Sequence, residues 1–203
     1  SIEFDFLAGE PDFKYYQVTP VIQFNNNSLS GVPYGGEIRN GVITSPEEIE
    51  AKFDLKKSIS VGPNIKSMHF RTIISGWGHA TPNDNGGRGC AEWCFRTHKI
   101  KIDDSEKFSH YMGPIGCASN PINNQAGNWT PNRAGWCPGM VVPVRIDKFG
   151  SDMSNSTINF EYYFQPWINN FQYSGNNKNA YNAISTFVVL KSDQQIDAAT
   201  VSD

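Results

Sequence analysis

The sequence predicts an all-β fold, a sandwich of antiparallel strands that carries long loops. Three observations lead there. Apolar and polar residues alternate with a period of two in several short segments, the pattern of strands buried on one face. Clusters of Gly, Pro and Asn separate those segments, as at Thr81–Gly89 and Ser119–Gly139. Only one helix start is visible in 203 residues. All-β sandwiches of this length commonly form a single domain.

Taken in chain order, Ser1-Ile2-Glu3-Phe4-Asp5-Phe6-Leu7 alternates cleanly and reads as a complete strand, closed by a turn at Ala8–Pro11. A chain that opens directly in a strand reads as one cut from something longer. Tyr15–Phe24 is the next strand. Ser45-Pro46-Glu47-Glu48 then supplies an N-cap, a proline at the first helical position and a capping-box glutamate ahead of Ile49 and Phe53. A short helix covering part of the sandwich is expected there. Ser67–Ser75 returns to strand. His98, Ile100 and Ile102 alternate with Thr97, Lys99 and Lys101, and Met140–Asp147 follows. Ile158, Phe160, Tyr162 and Phe164 alternate with Asn159, Glu161, Tyr163 and Gln165. Ala183–Leu190, rich in β-branched and aromatic residues, reads as a more buried strand. Pro20 and Pro143 put their segments at an edge or a bulge, because proline cannot donate to a ladder.

Composition excludes several function classes. The net charge is -3 and no basic block occurs, so nucleic acid has no electrostatic footprint. No run of about 18 apolar residues is present, so no membrane-spanning helix is expected. No basic segment followed by an apolar one opens the chain, so a signal peptide is absent or already removed. Cys90, Cys94, Cys117 and Cys137 form an even set with three possible pairings, at home in an oxidising, secreted or periplasmic setting. Their spacings lack the C-x2-C knuckle of an all-cysteine zinc site. The favoured pairing is Cys90–Cys94 with Cys117–Cys137. His69, His79, His98 and His110 are scattered, without an H-x-H or H-E-x-x-H pattern, and no Ser sits in a G-x-S-x-G elbow. No metal or cofactor is expected.

The densest chemistry lies in Ser75-Gly76-Trp77-Gly78-His79 and in Arg88-Gly89-Cys90-Ala91-Glu92-Trp93-Cys94. A bond between Cys90 and Cys94 would close a very tight loop with Glu92 and Trp93 on a rigid rim. A carboxylate beside an aromatic face is a sugar-binding arrangement. Trp77, Trp93 and Trp136 all sit in Gly-, Pro- or Cys-rich loops, where amphipathic rings commonly serve binding. Arg133 offers a planar fork of donors for a carbonyl, a carboxylate or sugar hydroxyls. His79, beside Gly78 and two residues from Trp77, can donate to a sugar.

These residues resemble the bacterial peptide:N-glycosidase F family. The likeness is carried by Val32-Pro33-Tyr34-Gly35, Ser75 through Ala80, Arg88 through His98, Asn120-Pro121-Ile122-Asn123-Asn124-Gln125, Gly127-Asn128-Trp129 and Arg133 through Met140. It runs along the family's C-terminal domain. The resemblance implies an eight-stranded antiparallel jelly-roll sandwich, one of two side by side, with the chitobiose core of an N-glycan in the cleft between them. It implies hydrolysis of the amide that joins asparagine to the first N-acetylglucosamine, giving aspartate and a glycosylamine, without a metal. It assigns catalytic roles to Glu92 and Arg133 and substrate contacts to Trp77, His79, Trp93 and Trp136, and it matches both favoured disulfides. The family's principal catalytic aspartate and a further glutamate belong to an N-terminal domain that has no counterpart here. Residues 1–8 then read as the last strand of that domain and 9–203 as the C-terminal one. The partners implied are N-glycosylated peptides or proteins and the N-terminal domain itself. The segment Gly36–Lys66 is longer than the family pattern.

Two other readings stand beside the amidase half. One is a non-catalytic N-glycan-binding module that keeps Trp93, Trp136 and Arg133. The other is the structurally similar copper monooxygenase class, which lacks support without an H-x-H pair.

Overall fold

The computed structural model describes residues 13–22, 55–77, 79–84, 88–164 and 181–203, with the backbone alone described at 79–84, 88–91, 164 and 181. The strands among them are β1 (Tyr15–Ile22), β2 (Lys56–Ser60), β3 (Ser67–Trp77), β4 (His79–Asp84), β5 (Arg88–Ala91) and β6 (Thr97–Ile102). They continue with β7 (Ser105–Tyr111), β8 (Val144–Ser151), β9 (Thr157–Phe164), β10 (Tyr181–Ser192) and β11 (Thr200–Ser202). A single 3-10 turn, Cys117–Ser119, interrupts the long loop before β8. The expected strand Ser1–Leu7 and the capped helix at Ser45 lie outside the described residues, so the proposed boundary at residue 8 is an expectation only.

The strands form two antiparallel sheets, ordered β1-β10-β3-β8 and β11-β2-β9-β6-β7, with β4 and β5 paired apart from both. Eight strands of five residues or more thus make the sandwich, four from each sheet, and the three-residue β11 adds a short edge. Among the described residues of the two sheets, only β6 and β7 pair with a chain neighbour. Every other ladder joins strands distant in sequence, as in a jelly roll. The β6–β7 connection turns at Asp103 and Asp104, whose φ values of 49° and 61° suit the tight turn that matches strand twist. Asp103 Oδ1 also accepts from the backbone and side-chain nitrogens of Asn159, at 2.9 and 3.1 Å, tying the turn to β9.

The core fills the space between the sheets. Phe70 and Ile74 of β3 and Ile184, Val188 and Leu190 of β10 meet Ile59, Ile100 and Phe160 from the other sheet, all essentially without exposure. Phe70 and Phe160 touch ring to ring across the gap, with centroids 5.2 Å apart. Each such side chain contributes on the order of 1.5–3 kcal/mol by leaving water. The alternation read in β6 and β9 is observed as alternating burial, and β10, central in its sheet, is buried continuously from Val188 to Ser192.

Proline acts as its chemistry requires. Pro20 lies in β1, at a sheet edge, and the register shifts between Pro20 and Ile22. The strand expected at Met140–Asp147 begins only at Val144 and runs on to Ser151, because Pro143 has no N–H to donate and constrains the residue before it. The Thr81–Gly89 loop is also shorter than expected, since both its ends join the β4–β5 ladder. A register shift between Ala80 and Asn83 passes Pro82 within that ladder.

Candidate active site

Three segments converge beside the end of β3. They are Ser75-Gly76-Trp77 at the end of β3, the turn Glu92-Trp93-Cys94 after β5, and the loop Asn128–Cys137. Backbone bonds fasten them together. Ala134 N donates to Glu92 O at 2.7 Å, and Gly76 N donates to Ala134 O at 3.4 Å. Trp136 Nε1 donates to Gly76 O at 2.7 Å, locking the indole onto β3. Gly135 between them has φ 74°, and a Cβ there would lie 2.3 Å from Met112 Cε. A larger residue there would be strained in that conformation and would have to displace the end of the Met112 side chain.

Arg133 is the hub. Its Nε donates to Glu92 Oε1 at 2.8 Å, Nη1 to Pro131 O at 3.0 Å and Nη2 to Asn128 O at 2.5 Å. The guanidinium lies against two indoles, 4.8 Å from the Trp93 centroid and 5.1 Å from that of Trp136. Such faces attract a cation most strongly where water is scarce, and the Arg133 and Glu92 side chains keep only 6% and 15% of their exposure. The carboxylate is therefore fixed in direction by a charge-assisted bond.

Trp77 and Trp136 stack at 3.9 Å with 25° between their planes. Both are half-buried, and the Trp77 indole N–H is satisfied by Ser75 Oγ at 2.8 Å. Trp93 is different from what its loop position predicts. It is 2% exposed, so it supports Arg133 from below and is not an open stacking face. For His79 the backbone register is described, opposite Ala91, which places it one residue from Glu92 along the adjoining strand.

The loop layer has its own scaffold. Cys117 and Cys137 are disulfide-bonded to each other, and Cys94 is also in a disulfide. Asn132 Oδ1 accepts from the backbone nitrogens of both Gly116 and Cys117 at 3.0 Å. Asn120, 1% exposed, accepts from Ile122 N at 2.9 Å and donates to Pro138 O at 2.8 Å. Neither asparagine stands out from sequence alone, although Asn120-Pro121 carries the signal of an Asx turn. A groove of about 310 Å³ lies elsewhere, on the β2–β9 face, lined by Lys57, Asn159, Glu161 and Asp203 among others. Two of its charges are paired, Lys57 with Asp203 at 2.5 Å and Glu161 with Lys101 at 2.9 Å. Among the described residues no three His, Cys, Asp or Glu side chains come together as a metal site, and no helix is long and apolar enough to cross a membrane.

Residues 46–189 match the family described as Peptide-N-glycosidase F, C terminal. The chain is 50% identical over its whole length to peptide-N(4)-(N-acetyl-beta-D-glucosaminyl)asparagine amidase F of Elizabethkingia miricola, and spans 53% of that protein. It is similar to a crystal structure of peptide-N(4)-(N-acetyl-beta-D-glucosaminyl)asparagine amidase, with TM-score 0.80 and 49% identity over 97% of this chain and 58% of that one. At 14% identity and TM-score 0.60, 91% of the chain also superposes on 31% of a protein named PNGF-II, which supports the fold alone.

Proposed function

Because the chain belongs to the peptide-N-glycosidase F C-terminal family, we propose that it is the C-terminal half of an N-glycan amidase. The observation that carries this reading is the Glu92–Arg133 pair held against Trp93 and Trp136, beside the Trp77–Trp136 stack. The substrate is an N-glycosylated peptide or protein. Water adds to the side-chain amide carbonyl of the glycosylated asparagine, and the bond between that carbonyl carbon and the amide nitrogen breaks, the nitrogen taking a proton and staying on the first N-acetylglucosamine. Aspartate and a glycosylamine result.

In this mechanism Arg133 anchors the glycan and steadies charge as it develops on the carbonyl oxygen. Glu92, oriented by Arg133, directs water or an N–H at the scissile bond. Trp77 and Trp136 present aromatic surface to the chitobiose core, and His79 donates to it. Positioned groups of this kind each contribute several kcal/mol to transition-state stabilisation. The principal acid/base aspartate comes from an N-terminal jelly-roll domain, on the same precursor or a partner chain. A Cys90–Cys94 bridge holds the Glu92 turn, and the disulfides support a secreted or periplasmic setting for the protein.

The test joins this chain to an N-terminal domain and follows glycan release from a denatured N-glycoprotein. Glu92→Gln should slow turnover roughly 100-fold. Unchanged turnover would remove Glu92 from the mechanism. The isolated chain should release no glycan, and rapid release by it would refute the need for an upstream aspartate. Glycan binding by the joined protein without any release would instead favour the binding-module reading.

A further inference from the structure

Next to the site the chain runs for sixteen residues, Cys117–Asn132, without a charged side chain. Within it stand Asn120, Asn123, Asn124, Gln125, Asn128 and Asn132, and a single aromatic ring, Trp129. Residues 123–128 and 130 are exposed, whereas Trp129 is half-buried. Its indole N–H donates to Gln125 O at 2.7 Å, which fixes the ring plane on the loop's own backbone.

This stretch is exposed yet tightly held. Asn123 N donates to Asn120 O and Gln125 N to Ile122 O, both at 3.1 Å, giving two successive turns. Asn124 Nδ2 donates to Asn123 Oδ1 at 3.0 Å, linking two amides side by side. The Cys117–Cys137 disulfide and buried Asn120 hold the near end, and Arg133 grips the far end through Asn128 O and Pro131 O. The guanidinium that orients Glu92 therefore also sets the position of the residue before Trp129.

We propose that Trp129, flanked by the amides of Asn123, Asn124 and Gln125, is a further carbohydrate subsite of the site formed by Arg133, Trp77 and Trp136, taking a neutral sugar ring farther out along the glycan. A fixed indole offers the apolar face on which a pyranose lies, and primary amides both donate to and accept from hydroxyls. The absence of charge over sixteen residues suits a neutral hexose and offers a charged peptide nothing to pair with. Pre-ordering of the loop lowers the entropic cost of binding. The proposal rests on the glycan reading given above and extends it outward.

The experiment measures binding of the two-domain protein, this chain joined to an N-terminal domain, to two probes, chitobiose and a free high-mannose N-glycan, by titration calorimetry. Wild type, Trp129→Ala, Trp129→Phe and Trp136→Ala are compared after circular dichroism shows that each keeps its strands. Trp129→Ala should weaken the high-mannose glycan about tenfold and chitobiose less than twofold, with Trp129→Phe between it and wild type. Trp136→Ala should weaken both. If Trp129→Ala binds the larger glycan as wild type does while Trp136→Ala does not, the subsite is refuted and the glycan reading stands. If Trp129→Ala weakens both probes equally, the ring belongs to the inner site and the outer subsite is refuted. If wild type binds neither probe, the glycan-binding reading and the subsite built on it both fall.

Discussion

Arg133 in the loop layer and His98 in the sandwich are both polar and nearly buried, at 5% and 3% exposure, yet they sit in opposite kinds of surroundings. Arg133 is ringed by the half-exposed Trp136, the buried Trp93, a carboxylate and two backbone carbonyls. Every one of those contacts lies within loops and turns. His98 points into the sandwich, where its Nδ1 meets Tyr162 Oη at 3.3 Å and the two rings pack edge to face. Nearby, His110 of β7 pairs with Asp147 of β8 at 2.8 Å and ties one sheet to the other. Burial of a polar group therefore does not mark a site by itself. What separates the regions is access, because the aromatic stack beside Arg133 reaches solvent, whereas the ring packed on His98 is the buried Tyr162.

The sharpest way to break this contrast is Arg133→Ala. It removes the guanidinium that faces the partly buried Glu92 carboxylate and the carbonyls of Asn128 and Pro131. Removing one member of a buried pair costs about 3–5 kcal/mol, so urea unfolding of the isolated chain should shift by that order. Glycan release by the two-domain protein should fall below detection. Arg133→Lys should rescue neither fully, since a point charge cannot reach an acid and two carbonyls as a planar fork does. Full recovery by lysine would show that charge alone matters there.

A second change acts on the scaffold and not on the hub. Cys117 and Cys137 close a loop with a sequence separation of 20. Replacing both with serine should destabilise the chain by about 3 kcal/mol, from the chain entropy returned to the unfolded state. Glycan affinity should fall with it, because Asn132 and Arg133 lie inside that loop. A stability loss with unchanged affinity would mean that Asn120 and Asn132 hold the loop in shape without the disulfide.

The same contrast explains what could be read in advance. Strands β6, β9 and β10 were legible because side-chain alternation encodes burial directly, residue by residue. Loop geometry is encoded less locally. That Arg133 would grip Asn128 O and Pro131 O, or that Asn132 would gather two backbone N–H groups, depends on where the disulfide and β3 place the chain. Trp93 shows the cost of reasoning from local context. A tryptophan in a tight turn reads as exposed, but the Asn128–Cys137 loop folds over it and sets Arg133 on its ring. Short β2 and β11 escaped notice because KKSIS and TVS carry too little apolar pattern to stand out.

The smallest predicted effect belongs to His98 and tests whether the sandwich is dry where the site is accessible. Burial, then the positive charges of Arg145, His110 and Arg96, push the His98 pKa from its ordinary 6.5 down to about 3. Asp147, paired with His110, and the Tyr162 hydroxyl, whose own pKa burial pushes up, also belong to this neighbourhood. In the unfolded chain His98 takes up a proton below about pH 6.5, while in the folded chain it stays neutral to about pH 3. The unfolded state then binds more protons, so stability is full above pH 6.5 and declines as pH falls toward 3, with a limiting slope of about 1.4 kcal/mol per pH unit. Between pH 6.5 and 5, before most carboxylates titrate, wild type should lose stability faster than His98→Gln by a slope approaching one proton. The other three histidines are common to both proteins and cancel in the difference. Equal slopes would mean that water reaches His98 in the folded state, and the sandwich interior would then be no drier than the loop layer above it.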